Sequence, residues 1–182
     1  MVFAVGVHCG ARRHALGRYK YLGERWWADV FARSIARHLE DHATWFEDFD
    51  FIVPMPSYIG CGARRAWDPV GELAARLESL VAPRWDLQPD AIVKRAETPA
   101  MRGRPWSERQ AIAAGPLRRA LAVPSPALVD EARILVLDDV LTEGGTLREV
   151  ARALRLAGAR EVAGLVLARP VWYEHPPAPG RR

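Results

Sequence analysis

The stretch Ala132 to Leu147, ARILVLDDVLTEGGTL, constrains the rest of the chain more than any other. Ile134, Leu135, Val136 and Leu137 form an unbroken apolar run, the pattern of a strand covered on both faces in a mostly parallel sheet flanked by helices. Asp138 and Asp139 follow at once, at the carboxyl end of that strand, where open α/β sheets bind ligands. Gly144-Gly145-Thr146 then opens a helix, whose unpaired N–H groups and dipole favour an anion. The two halves suit two parts of one ligand. Adjacent carboxylates accept hydrogen bonds from neighbouring ribose hydroxyls, while the turn through Val140, Leu141, Thr142, Glu143, Gly144, Gly145 and Thr146 holds a monophosphate. The expectation is a ribose 5-phosphate site. It is neither a Walker loop, since no Lys follows the glycines, nor a dinucleotide fingerprint, since the acids precede them. The plain alternative is a pair of strand-end aspartates beside a helix cap, with no ligand.

With 182 residues and no break in composition, residues 1–170 are expected to form a single domain. Residues 171–182, with Pro176, Pro177, Pro179 and Gly180, are expected to be a disordered tail. No apolar stretch approaches the roughly 18 residues that cross a bilayer. The opening MVFAVGV lacks the basic residues that precede a secretory core, so a cytoplasmic protein without a membrane span is expected. Cys9 and Cys61 are too few for a disulfide framework, and His8, Cys9 and His14 fall short of a four-ligand metal site. The net charge of +4 comes from Arg almost alone, Lys20 and Lys94 being the only lysines. Arg suits bidentate phosphate recognition, whether of a pyrophosphate or of nucleic acid.

Along the chain, Val2 to Val7 is an expected edge strand, or else a loosely attached arm. Trp27, Val30, Phe31, Ile35 and Leu39 recur at helical spacing between Glu24 and Leu39, so Trp26 and Trp27 are assigned to packing on that helix. Phe49 to Val53 is a buried strand ended by Pro54 and Pro56. Asp68-Pro69 is an N-cap and first-turn pair for a helix to about Leu80. Ala91 to Val93 is expected as a third strand, Leu121 to Val123 as a short one, and Val162 to Ala168 as the strand that closes the sheet. Between them, Glu97 to Gly115 is irregular enough to be a functional loop or a flexible insertion.

The central stretch resembles the phosphoribosyl pyrophosphate (PRPP) motif of the type I phosphoribosyltransferases, and the flanking chain resembles the competence-protein ComF family within that group. Tyr19-Lys20-Tyr21-Leu22-Gly23 is similar to that family's Lys-aromatic-x-Gly segment, and Val53-Pro54-Met55-Pro56 to its Pro-x-Pro strand end. Ala157-Gly158-Ala159 with Leu167-Ala168-Arg169 resembles its closing helix and strand. The likeness spans most of Tyr19 to Arg169 and implies the type I phosphoribosyltransferase fold.

It also implies the chemistry: a nitrogen nucleophile displaces pyrophosphate from the anomeric carbon of PRPP, with Mg²⁺ held mainly by the substrate and shared with Asp138 and Asp139. Those two acids are the expected catalytic pair. Arg64 and Arg65 are candidates for the pyrophosphate loop, with a solvated basic loop as the alternative. Lys94 and Arg95 are candidates for the pyrophosphate loop or a lid, and Arg102, Arg104 and Arg109 for charge on a lid over PRPP, the role implied for residues 97–115. The acceptor is an unidentified base or amine. The competing expectations are a non-catalytic DNA-uptake module that binds single-stranded DNA or a competence partner, and a sensor of PRPP or a nucleotide. Several positions depart from the family pattern. Glu143 stands where many relatives have Thr, and a carboxylate repels phosphate unless it points away. Met101 and Ile112 replace a Gln and an Asn of the lid, and Arg65-Ala66-Trp67-Asp68 replaces Arg-Gly-Phe-Asn.

Overall fold

In the computed structural model, which describes residues 1–101 and 103–170, Ile134 to Leu137 are fully buried. The strand expected there is therefore covered on both faces. Arg102 and the tail at 171–182 lie outside the described residues. The elements run β1 (Val2–Ala4), α1 (Gly10–Leu22), α2 (Trp27–Asp41), α3 (Ala43–Phe46), β2 (Phe51–Pro54), α4 (Pro69–Val81) and β3 (Asp86–Leu87). They continue with β4 (Val93–Lys94), α5 (Trp106–Ile112), a π-helical turn at Ala113–Leu117, α6 (Arg118–Ala120), β5 (Leu121–Ala122) and α7 (Pro126–Val129). The last are β6 (Arg133–Val140), α8 (Gly145–Leu156) and β7 (Glu161–Ala168). The fold is α/β, with a central five-stranded parallel sheet ordered β1-β7-β6-β2-β3.

The strand order decides where the helices lie. The chain steps from β1 to β2 to β3 in one direction across the sheet and from β6 to β7 in the other. With right-handed crossovers, α1, α2 and α4 cover one face and α8 covers the opposite one. Ala28, Phe31, Ala32, Ile35, Ala36 and Leu39 of α2 meet Val70, Leu73, Ala74 and Leu77 of α4 in the same buried core. On the other face Leu147, Val150 and Leu154 of α8 are buried against β7. Gly164 permits this approach, because a Cβ there would lie 2.6 Å from Leu147 Cδ2 and 3.3 Å from Val2. That close fit explains a glycine in the middle of an apolar strand.

Three elements differ from the sequence expectation. Ala91 and Ile92 are buried, but the strand they lead into, β4, pairs antiparallel with β5 in a separate two-stranded sheet. The third strand of the main sheet is β3, two residues paired with Phe51 and Ile52, and too short to leave a sequence pattern. α1 was not expected at all. It buries only Ala15, Leu16 and Tyr19, and Gly10 and Gly17 dilute its helical pattern. Gly23, in left-handed conformation at φ 70°, ends it and donates its N–H to the Arg18 carbonyl. Finally, residues 97–115 are not irregular throughout, since α5 and the start of the π-helical turn fall within them.

Candidate functional site

β2 and β6 are neighbours, and the chain leaves them toward opposite edges of the sheet, so their carboxyl ends flank the crevice that strand order creates. Pro54 pairs with Leu137, and the Met55 N–H donates to the Leu137 carbonyl at 2.8 Å. This register brings the loop after β2 alongside Asp138. The same loop carries Arg64 and Arg65, and the turn from Leu141 to Gly144 follows β6 directly. The helix after the first loop starts as its sequence dictates: the Asp68 carboxylate accepts from Val70 N–H at 3.1 Å and from Ser57 Oγ at 2.9 Å, with Pro69 in the first turn.

Both acids fall on the last residues of β6, and the structure gives them different surroundings. Asp139 is buried at 4% exposure; its Oδ1 accepts the Val140 N–H at 2.6 Å, and Lys20 Nζ of α1 lies 2.7 Å from its Oδ2. Burial pulls the Lys20 pKa down, but the Asp139 carboxylate outweighs it and the net shift is upward. Asp138 is half-buried, and one of its oxygens accepts the Asp139 N–H at 2.8 Å. Burial and then the Asp139 charge push its pKa upward, against the pull of Lys20. Asp138 is thus the more accessible of the pair, and Asp139 the one already held by a cation.

At the phosphate turn, Gly144 takes a left-handed conformation at φ 72° and α8 begins on Gly145, leaving the first-turn N–H groups without helical partners. Thr142 is exposed, whereas the Thr146 hydroxyl lies 3.7 Å from Met101 Sδ. The carboxylate of Glu143 does not stand alone there: Arg109 of α5 forms an ion pair with it. Arg109 Nε is buried without a hydrogen-bond partner among the described residues. Beside it, Arg148 donates to the Gln110 side-chain oxygen at 2.9 Å, so α5 lies over the first turn of α8. Ile112, which replaces a polar family position, is buried at the end of this helix.

The remaining basic candidates separate into two groups. Arg64 and Lys94 converge on Glu97: Arg64 donates its backbone N–H and guanidinium at 3.0 Å each, and Lys94 Nζ lies 3.6 Å away. Arg65 is exposed and close enough to depress the Lys94 pKa, which burial lowers first. Arg104 turns back on its own segment, to the Ala100 carbonyl at 2.7 Å and Glu108 at 2.9 Å, and Arg95 is exposed. Neither is drawn to the aspartates. Lys20 and Glu97 are the residues that sequence reasoning missed. The signal for Lys20 was its place as one of two lysines in an arginine-rich chain.

Among the described residues no three His, Cys, Asp or Glu side chains group to hold a metal ion. Asp138, only half-buried, is a carboxylate at this strand end that could take a cation arriving with its own phosphate oxygens. Open grooves of about 580 Å³ and 350 Å³ run along the outer faces of α1 and α8, lined in part by Arg13, His14 and Tyr21 and by Arg148, Arg152 and Arg155; Asp138 and Asp139 line neither. No helix among the described residues is long and apolar enough to cross a membrane.

Over residues 61–177 the sequence matches the profile of the family described as phosphoribosyl transferase domain. No curated protein matches it. Among solved structures it is similar to the glutamine PRPP amidotransferase from B. subtilis complexed with ADP and GMP, with 18% identity, 76% of this chain covered and a TM-score of 0.48. The chain spans about a quarter of that enzyme's length, at 26%. It is also similar to a hypoxanthine phosphoribosyltransferase from Trypanosoma cruzi, with 11% identity, 86% of this chain and 74% of that chain covered, and a TM-score of 0.47. A purine phosphoribosyltransferase from Pyrococcus horikoshii Ot3 matches with 18% identity over 86% of this chain and 95% of that chain, with a TM-score of 0.42.

Proposed function

Since the chain belongs to the phosphoribosyl transferase domain family, we propose that it binds PRPP at the carboxyl ends of β2 and β6 and transfers the phosphoribosyl group to a base or amine. The observation that supports this reading is that Asp138 and Asp139 fall on the last residues of β6, just before the left-handed Gly144 at which α8 begins. Asp138 takes the ribose hydroxyls, for which its half-buried carboxyl has accessible oxygens. Asp139, fixed by Lys20, keeps negative charge beside the anomeric carbon as positive charge develops there. The turn from Leu141 to Thr146 holds the 5-phosphate with backbone N–H groups, and Arg109 offsets the Glu143 carboxylate beside it. Arg64, Arg65 and Lys94 face the pyrophosphate end. Mg²⁺ belongs to this reading as a cation that Asp138 would hold together with PRPP, its charge opposing the burial that raises the Asp138 pKa and supplying neutralisation of the leaving group. The ComF likeness of Tyr19 to Gly23 and of the Pro54-Met55-Pro56 strand end supports a role of that subfamily's kind.

Calorimetric titration of PRPP with Mg²⁺ tests the reading. Saturable heat is expected, with thermal stabilisation equivalent to about 2.7 kcal/mol at a ligand concentration near a hundred times Kd. The double variant Asp138→Asn, Asp139→Asn is expected to lose that stabilisation while remaining folded. Absence of heat and of stabilisation at millimolar PRPP rejects the assignment. A second reading, single-stranded DNA on the groove lined by Arg148, Arg152 and Arg155, is supported by that basic lining. It calls for a gel shift at 50 mM salt that is lost near 200 mM, on the order expected when several phosphate contacts release counterions.

A further inference from the structure

Four donors converge on one carboxylate at the loop after β2. Glu97 Oε2 accepts the Arg64 backbone N–H at 3.0 Å, and Oε1 accepts the Arg64 guanidinium at 3.0 Å and the Thr98 backbone N–H at 2.9 Å. Lys94 Nζ approaches Oε1 to 3.6 Å, and the same Arg64 guanidinium nitrogen also donates to the Thr98 carbonyl at 2.9 Å. Paired backbone N–H groups with a guanidinium and an ammonium make an anion cradle. Its charges do not balance: Lys94 and Arg64, two cations, face a single carboxylate. Lys94 is largely buried, with 12% of its side chain exposed, so water does little to compensate. The pKa directions agree, since Lys94 stays depressed by burial despite Glu97, while Glu97 falls to about 2, its hydrogen bonds overcoming the opposing effect of burial. The cradle suits an anion of higher charge than the one it holds.

We propose that Glu97 is a built-in competitor for substrate, filling the cradle of Arg64, Thr98 and Lys94 and giving it up to a polyphosphate anion of higher charge. This rests on the PRPP reading for the identity of the natural ligand, and names the regulation of that same site. The arithmetic favours selectivity. A carboxylate tethered by a few residues competes at an effective concentration on the order of millimolar. A monophosphate at micromolar concentration does not displace it, whereas a pyrophosphate group, with several times the charge and bidentate contacts to Arg64, does. An ordinary loop staple makes the opposite prediction, because removing a staple loosens the cradle and weakens anion binding.

The sign of the effect therefore decides. Inorganic pyrophosphate with Mg²⁺ is titrated calorimetrically into the wild-type chain, Glu97→Gln and Glu97→Ala. Both variants are expected to bind about tenfold more tightly than wild type, the scale set by a millimolar internal competitor, and Arg64→Ala placed in the Glu97→Gln background is expected to abolish the gain. Equal or weaker binding in both variants overturns the proposal, as does a lowered melting temperature accompanied by weaker binding, which is the staple result. The two readings fail separately. If wild type never binds PRPP but Glu97→Gln gains pyrophosphate, the ribose assignment falls and the competitor stands. If PRPP binds wild type and neither Glu97 variant gains affinity for pyrophosphate, the competitor falls alone.

Discussion

At the scale of one side chain, Glu149 on α8 accepts from Arg118 at 2.9 and 2.8 Å and from Arg152 at 2.8 Å, while buried to 8% exposure. The Arg118 hydrogen bonds, ahead of the opposing effect of burial, hold its pKa down at about 2. A carboxyl whose folded pKa lies below its unfolded value contributes stability above the unfolded value, and loses it as pH falls through the folded one. Melting temperature should therefore drop between about pH 4.5 and pH 2. Glu149→Gln is expected to be less stable than wild type at pH 7 and flatter across that window, as calorimetric scans at several pH values would show. Asp138 has the opposite sign, since its raised pKa means that its contribution is greatest below its unfolded value and declines as pH rises above that value. Glu143 illustrates a limit of reading residues singly. Its carboxylate beside the glycine turn argued against phosphate, yet Arg109, remote in sequence, stands against it.

Among the elements, α8 matters most to the site because its first turn is the phosphate turn. Its position depends on Gly164 of β7, over which Leu147 packs. Gly164→Val should force Leu147 and Val2 apart, cost about 1–3 kcal/mol as overpacking does, and weaken PRPP stabilisation, because the turn shifts with the helix. Urea unfolding together with a PRPP thermal shift reads both effects. How well an element could be foreseen follows its chemistry. β6 and β7 were legible because apolar runs long enough to fill two covered faces leave few other folds. α4 was legible from Asp68-Pro69, a local cap. α1 and β3 were not, the first because most of its residues face solvent, the second because two residues carry no period. The same divide runs through the site. Asp138, Asp139 and the glycines are neighbours in sequence, whereas Lys20 with Asp139 and Arg64 with Glu97 are brought together by the fold.

For the molecule as a whole, Lys20 joins the amino-terminal helix to the centre of the sheet. Removing one partner of a buried pair leaves the other charge uncompensated, at a typical cost of about 3–5 kcal/mol. Lys20→Met should lose stability of that order in urea unfolding at pH 7, with Lys20→Arg intermediate, because Asp139 is buried and the cation paired with it is gone. An unchanged midpoint for Lys20→Met would show the pair to be incidental. The sheet order gives this link a further meaning. Among the described residues β1 pairs with β7 alone, and its register matches Val2 with Gly164. β1 thus gains this neighbour only once β7, far later in the sequence, is in place. A nascent chain halted before β7 would leave β1 without its sheet partner, so this edge of the sheet closes late in synthesis.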